Sequence, residues 1–275
     1  MATGAVRALR KVQVGKEATK GTSVAATELL LAEANVTPKF PLYRNEHPAG
    51  LMAAHFGPTK VLAKDVDIAL LMNGVSYEQL PWLLNAAIQV PVTAGIGPYQ
   101  HVYGASAALM SNVAALVTPD ALTIEGLWGD GTDLEQIEIP YCMARRLTLS
   151  GEQNGLLQAQ GEFFGRDIVD AAVTSLALPT DLEPIIVADG TFYINTTFLL
   201  AAPTPAFGTW AAPAAGGWAG KILSFNLDVE TGLDVVHGVR GSPVFDRHKE
   251  PVKNFRLTVT ALQDAAATNS PAAER

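Results

Sequence analysis

The stretch ALTIEGLWGDGTDLEQIEIPYCMARRLTLSGEQNGLLQAQGEFFGRD, residues 121–167, decides the fold class. Apolar residues recur in it at every second position, in short segments that Gly, Asp, Asn and Pro separate. Because side chains alternate between the two faces of a strand, such segments bury one face and leave the other in water. Asn154-Gly155 stands between two segments and is a strong signal of a tight hairpin. The stretch predicts a mainly β protein built on an antiparallel sheet.

A second alternating region, residues 221–261, follows a similar plan. Apolar and polar residues alternate over 223–230, Thr231-Gly232 predicts a turn, and 233–239 predicts the returning strand. A last alternating strand over 255–260 closes the sheet. The two regions therefore predict two related hairpin halves, about 121–167 and 221–261, within one domain.

One α-helix is predicted, over about residues 76–88. Ser76 is a favourable N-cap residue, and Leu80, Leu83 and Leu84 follow at helical spacing. Pro81 is tolerated only within the first turn, so the helix begins near Ser76. We expect this helix to pack across the sheet.

The remaining segments set the domain boundaries. Residues 1–37 carry little periodicity and predict an extended N-terminal arm, and the polar residues 263–275 predict a flexible C-terminal tail. The single β domain then spans 38–262. Within it, 44–60 is a long loop that carries apolar residues, and such loops usually contact a partner or fold back on their own core.

The composition argues against several functional classes. The net charge is -8 and the isoelectric point is about 5.1, whereas binding to nucleic acid phosphates needs Lys and Arg. The single cysteine, Cys142, rules out an intramolecular disulfide, and we expect it to be buried. No apolar run reaches the length of a membrane span, and residues 1–15 lack the apolar core of a secretory signal.

No motif predicts catalysis or metal binding. The five histidines lack metal-ligand spacing, and the acidic segment 129–135 (GDGTDLE) lacks the order of a calcium loop, so it predicts a hairpin turn. Residues 216–222 lack two positions of a phosphate loop. Asp65 and Asp67 have the residue type of an acid–base pair, but a solvated strand face explains them better. We expect neither an enzyme nor a cofactor.

Several of these segments resemble the major tail tube proteins of long-tailed bacteriophages. QVGKEATKGTSVAATELL at 13–30 is similar to the family's N-terminal signature, and MNGVSYEQLPWLLNAAI at 72–88 resembles its single helix. TPDALTIEG at 118–126 and YCMARRLTLSG at 141–151 resemble its strands. The resemblance implies an antiparallel β-sandwich or barrel of the tail-tube type, with one flanking helix and long loops. It also implies hexameric rings that stack into a hollow tail tube through which DNA passes.

The resemblance further implies partners and sites. The partners are copies of the chain, the tape-measure, tail-terminator and tail-tip proteins, and double-stranded DNA that passes without tight binding; no membrane is involved. The protein is expected in the virion, in the phage tail, after synthesis in the bacterial host cytoplasm. By analogy, residues 13–30 tie subunits together, as does the loop 44–60, whose candidate contact residues are Arg44, Leu51, Met52, Phe56 and Lys60.

Asp65 and Asp67 are the candidate residues lining the channel. They alternate with Val66 and Ile68, so we expect both carboxylates on the wet face of one strand. Carboxylates on a channel wall would repel DNA during its passage.

Two other classes fit parts of the sequence. One is another ring- or shell-forming subunit of a virion or a secretion tube. The other is a β-sandwich carbohydrate-binding module, in which Trp128, Trp210 and Trp218 stack on sugars. Trp residues among Ala, Gly and Pro more often fill a core or an interface, so the structural subunit is favoured.

Overall fold

The described part of the chain is mainly antiparallel β structure with one α-helix, as predicted. The structure is a computed structural model, and it describes residues 7–9, 11–43, 46–47, 55–56, 60–88, 92–94, 100–102, 119–129, 134–177, 179, 182–189, 222–238, 242–249 and 251–261. The elements in chain order are β1 Arg7–Leu9, β2 Lys11–Lys16, β3 Glu28–Leu30, β4 Glu33–Lys39, β5 Leu42–Tyr43, β6 Glu46–His47, β7 His55–Phe56, β8 Lys60–Val61, β9 Asp65–Met72, α1 Leu80–Ala87, β10 Val92–Ala94, β11 Gln100–Val102, β12 Leu122–Gly129, β13 Leu134–Glu152, β14 Gln158–Gly165, β15 Val169–Asp170, β16 Ile222–Glu230, β17 Asp234–Val236, β18 Arg247–Lys249 and β19 Asn254–Ala261.

The long strand β13 joins two sheets. Its N-terminal part pairs with β12 and β15, and this smaller sheet continues through β2 to β3. Its C-terminal part pairs with β14 and β16 in the larger sheet, whose order is β1-β4-β9-β14-β13-β16-β19. The partners change near Tyr141, whose φ of 59° is rare for so bulky a side chain. Among the described strands both sheets end in open edges, so they do not close into a barrel.

One hydrophobic core contains side chains from both sheets. The smaller sheet contributes Val12, Val14, Ile124, Ile137 and Ile139, and the larger sheet contributes Val36, Ile68, Leu70, Leu147 and Phe163. On β9, the apolar residues of the predicted alternation are at most 3% exposed. Burial of one such side chain stabilises the fold by roughly 1.5–3 kcal/mol, so this shared core is the main force that holds the sheets together.

The helix α1 lies where the sequence predicts a helix, with a later start. It begins at Leu80, after a turn over residues 77–79. The N-cap residue is Gln79 rather than the predicted Ser76, and no side chain caps the helix. Ser76 stabilises the preceding turn instead: the Gln79 N–H donates to Ser76 Oγ at 3.3 Å, and the Leu80 N–H donates to the Ser76 carbonyl at 3.0 Å. Leu83, Ala86 and Ala87 are buried, and the helix packs against β13.

The two predicted turns of residues 121–167 both connect paired strands. Asn154-Gly155 lies in the connection between β13 and β14, where the Gly155 N–H donates to the Glu152 carbonyl. The connection has five residues, whereas Asn-Gly is typical of a two-residue loop in which the Gly has a positive φ. Here Gly155 takes the last position of the turn and has no positive φ. β12 and β13 pair up to Gly129 and Leu134, and residues 130–133 of the predicted acidic turn lie outside the described part.

In residues 221–261 the strand pairing differs from the prediction. β16 does not pair with the segment after Thr231; it pairs with β19, which is the predicted closing strand. The expected return strand is the short β17, which pairs with β18 instead. The alternation identified the strands correctly, but it carries no information on which strands are neighbours.

The predicted N-terminal arm is wrong for residues 11–37. These residues form β2, β3 and most of β4, and Val12 and Val36 are fully buried in the shared core. The periodicity is weak because β2 is buried on both faces, with Gln13 at 1% exposure. Trp210, Trp218 and the tail 263–275 lie outside the described residues.

A second, smaller core lies on the opposite face of the larger sheet. Residues 231–238 and 242–249, here called the cover segment, carry Leu233 and Phe245 onto Tyr141, Met143 and Phe164. Phe164 stands opposite Asp67 in the pairing of β14 with β9, so the cover segment lies over the end of the sheet that carries Asp65 and Asp67. This segment divides the outer face of the sheet into a covered end and an open part.

Candidate functional site

The open part of the outer face carries mostly polar side chains on six neighbouring strands. Residues that stand opposite one another in adjacent antiparallel strands project from the same face. The pairing of β4, β9, β14, β13, β16 and β19 therefore defines two rows, which together are called the polar face. The first row is Glu33, Leu71, Gln160, Thr148, Asp228 and Arg256, and the second is Asn35, Ala69, Glu162, Arg146, Glu230 and Asn254.

The polar face has a net negative charge, because it holds four carboxylates and two guanidinium groups. Arg146 and Asp228 form a bidentate pair: Nε donates to Oδ1 at 2.7 Å and Nη2 donates to Oδ2 at 2.6 Å. The Thr148 hydroxyl also donates to Asp228 at 3.2 Å. The hydrogen bond from Arg146 holds the pKa of Asp228 below its ordinary value, so this carboxylate stays ionised.

Asp65 and Asp67 lie at the covered end of the same face. Asp67 pairs with Lys39 and accepts a hydrogen bond of 2.5 Å from Arg145 Nη1. Arg145 Nη2 donates at 3.0 Å to Asp234 of the cover segment, so this guanidinium ties the segment to the sheet. Side chains of both the sheet and the cover segment thus surround the predicted channel residues.

Asp65 differs from the prediction because it is only 8% exposed. Its carboxylate lies 3.8 Å from His237 Nε2 of the cover segment, and burial raises its pKa. Asp65 and Asp67 project from the predicted face of β9, opposite Val66 and Ile68. The expectation that Asp65 is exposed to water is wrong. The sequence alternation could not show that the cover segment returns to cover this end. The role of Asp65 and Asp67 in a channel stays a prediction.

The predicted contact loop is a β-hairpin in its described parts. Leu42 pairs with Val61 and Tyr43 with Lys60, and further out Glu46 pairs with Phe56 and His47 with His55. Neither of these two short ladders joins the large sheet. We call the described strands of this hairpin, residues 42–43, 46–47, 55–56 and 60–61, the hairpin arm. Of the predicted contact residues, Phe56 and Lys60 lie in its strands, whereas Arg44, Leu51 and Met52 lie outside the described part.

Apolar side chains are exposed at the base of the hairpin arm. Leu42 is 44% exposed, its partner Val61 is 39% exposed, and Leu62 is 60% exposed. The Leu62 N–H donates to the Pro41 carbonyl at 2.9 Å, which closes the base of the arm. Because a two-stranded ribbon alone is marginally stable in water, this arm is suited to packing against another surface.

The edge strand β19 is a second surface with exposed apolar residues. It has eight residues, and in the described part of the chain it pairs only with β16. Phe255 is 51% exposed and Leu257 is 52% exposed, on the face of β19 opposite Arg256. A long strand with a free edge offers unpaired backbone groups to another strand. β1 ends the same sheet on the other side.

A buried polar network, which nothing in the sequence marks, fixes the segment after β2. Glu17 accepts hydrogen bonds from the Gly21 N–H at 2.5 Å, the Thr123 hydroxyl at 3.0 Å and the Tyr141 N–H at 2.7 Å. Glu125 likewise accepts from the Ala26 N–H at 2.9 Å and the Thr174 N–H at 2.6 Å. Apart from Gly21, these partners lie far from their acceptors in the chain, so residues 17–26, part of the predicted tie 13–30, are held within their own subunit.

Three further observations concern metal ligands, the cysteine and the helix. No three His, Cys, Asp or Glu side chains within the described ranges lie close enough together to hold a metal ion. Cys142 is buried, as expected, and burial raises the pKa of its thiol well above the ordinary value, which disfavours the reactive thiolate. The only α-helix in this part of the chain is too short to cross a membrane.

Comparison of the chain with models of known protein families and with curated proteins finds no match.

Proposed function

We propose that the chain is a structural virion protein, the subunit of hexameric rings that stack into the hollow tail tube of a long-tailed bacteriophage. The observation that carries the proposal is the hairpin arm: it pairs only with itself in the described structure and exposes Leu42, Val61 and Leu62 at its base. In the assembly it packs against a neighbouring subunit. The resemblance of residues 13–30 and 118–126 to tail tube proteins supports the same function.

The edges of the larger sheet support ring closure. β1 and β19 lie at opposite ends of one sheet, so the β19 edge of one copy can meet a different edge on the next copy. Such a head-to-tail contact is heterologous and closes into a ring when its rotation divides a full turn. Pairing would cover Phe255 and Leu257, which a free edge leaves in water.

The polar face supports the passage of DNA. Its excess of carboxylates repels phosphate, and it extends across six strands of one sheet. In the proposed tube this open face lines the channel, while Asp65 and Asp67 lie at its covered end. The tape-measure, tail-terminator and tail-tip proteins remain the proposed further partners, and the phage tail is the proposed location.

Two double variants test the role of the hairpin arm in assembly. L42S/V61S replaces the exposed apolar pair at its base, and L156S/I186S replaces a matched pair, 41% and 43% exposed, that also forms a bridge between two segments. Loss of about 2 kcal/mol of apolar burial weakens each contact roughly 30-fold. We expect sedimentation to show rings or tubes for the wild type and the L156S/I186S variant, and monomers for L42S/V61S. Equal assembly of both variants would show that the hairpin arm is not part of the interface.

A further inference from the structure

The two positive charges of the polar face stand on either side of one carboxylate. Arg146 on β13 makes both hydrogen bonds of its fork to Asp228 on β16, and Arg256 on β19 stands directly opposite Asp228. The charge of Arg256 also contributes to the lowered pKa of Asp228. The three side chains therefore form an Arg–Asp–Arg triplet across neighbouring strands.

Further carboxylates surround Arg146. Glu162 on β14 and Glu230 on β16 stand opposite Arg146 on either side. After the hydrogen bond to Asp228, the charges of both carboxylates raise the pKa of Arg146. Nevertheless, the Arg146 side chain is 46% exposed, so it remains within reach of a passing phosphate. Arginine forks bind phosphate in the same bidentate way as they bind carboxylate.

We propose that Asp228 keeps this face from binding nucleic acid, by occupying the fork of Arg146 and placing a negative charge opposite Arg256. The inference rests on the proposed function only in that DNA is the polyanion that passes the face. A channel wall with free guanidinium groups would bind phosphates and release counterions at every contact, which would slow the passage of DNA. Asp228 therefore reduces DNA binding through a specific contact with Arg146, in addition to the general repulsion of DNA by negative charge.

Two variants with the same net charge separate this role from charge alone. D228N/E162Q opens the fork of Arg146, whereas E162Q/E230Q removes two carboxylates and leaves the Arg146–Asp228 pair intact. Each variant changes the charge of the face by the same amount. A difference between them therefore reports the state of the fork.

The measurement is binding of a fluorescent DNA duplex to the unassembled full-length protein at low salt. We expect no measurable binding by the wild type or by E162Q/E230Q. For D228N/E162Q we expect measurable binding, with a Kd at least about 10-fold below that of either protein. Its affinity should fall with salt with a logarithmic slope of about -2, since two arginines become available. Equal binding by the two variants, no binding by either, or binding by the wild type would overturn the inference.

A third variant guards against misfolding of D228N/E162Q. R146K/D228N/E162Q has the same net charge as D228N/E162Q, but a lysine cannot make the bidentate contact with phosphate. We expect it to bind DNA more weakly than D228N/E162Q; equal binding, as by a misfolded chain that does not distinguish arginine from lysine at this position, would contradict the inference. Because binding is measured before assembly, the result does not depend on whether rings form.

Discussion

Arg145 and Arg146 are consecutive residues of β13 with different surroundings. The pairing of β13 with β14 shifts register between Ala144 and Arg146, so Arg145 is the extra residue of a β-bulge. Both guanidinium groups therefore reach the outer face of the larger sheet. Arg145 lies beneath the cover segment between Asp67 and Asp234 and over the Phe164 ring, whereas Arg146 lies on the open polar face with Asp228.

The difference shows how one sheet face serves two purposes. At the covered end, ion pairs and the second core attach the cover segment to the sheet, and the charges there stabilise the fold. On the open part, the pair of Arg146 with Asp228 contributes little to stability and instead sets which molecules the face can bind. Similar pairs thus have different roles because Arg145 lies beneath the cover segment and is 25% exposed, whereas Arg146 is 46% exposed on the open part.

The largest expected effect is that of Arg145→Ala. The substitution leaves Asp67 and Asp234 without their shared partner and removes the contact over Phe164. Because both carboxylates keep some contact with water, we expect a loss of about 2 kcal/mol in the free energy of unfolding. Urea denaturation measures it. A loss as small as that of Arg146→Ala would show that the cover segment is held without this residue.

A pH series gives opposite signs for the two regions. The pKa of Asp65 is raised above 3.8, so its stabilising contribution is present below that value and is lost as the pH rises through the folded pKa. The pKa of Asp228 is lowered, so its contribution is present above 3.8 and is lost as the pH falls through the folded pKa.

Asp65→Asn and Asp228→Asn report the two contributions separately. Between pH 3 and pH 7, we expect the unfolding free energy of Asp65→Asn to rise relative to the wild type, and that of Asp228→Asn to fall. Urea denaturation at each pH gives both curves. Slopes of the same sign would contradict the assignment of Asp65 to a buried site and Asp228 to an exposed ion pair.

The smallest expected effect is that of Arg146→Ala on stability. Its pair with Asp228 is an exposed ion pair, and such pairs are typically worth less than about 1 kcal/mol. The same denaturation experiment measures it and serves as the control for Arg145→Ala. A loss of the size expected for Arg145→Ala would mean that the open face has a structural role.

Periodicity of polar and apolar residues was enough to predict the strands β9, β12, β14, β16 and β19, the helix and the buried face of β9, but not the strands of residues 11–39. It could not predict that β13 continues through Pro140 and Tyr141, because Pro usually ends a central strand and a positive φ is rare for Tyr. It also could not predict the bulge that brings Arg145 and Arg146 to one face, since a single extra residue leaves no mark in the pattern.

The candidate surfaces were predictable only in part. The position of the hairpin arm follows from its apolar loop residues, and the outer face of β9 follows from the alternation. Which acidic residues stay open to water depends on where the cover segment packs, and that is set by contacts of Leu233 and Phe245 with residues about 70–100 positions earlier in the chain.

Electron cryomicroscopy of the assembled protein tests the central claim most directly. We expect six-subunit rings stacked into a tube, with the hairpin arm packed against a neighbouring subunit and the row of Glu33, Thr148 and Asp228 facing the channel. A particle that stays monomeric at high protein concentration, or a tube whose channel is lined by the opposite face, would contradict the account.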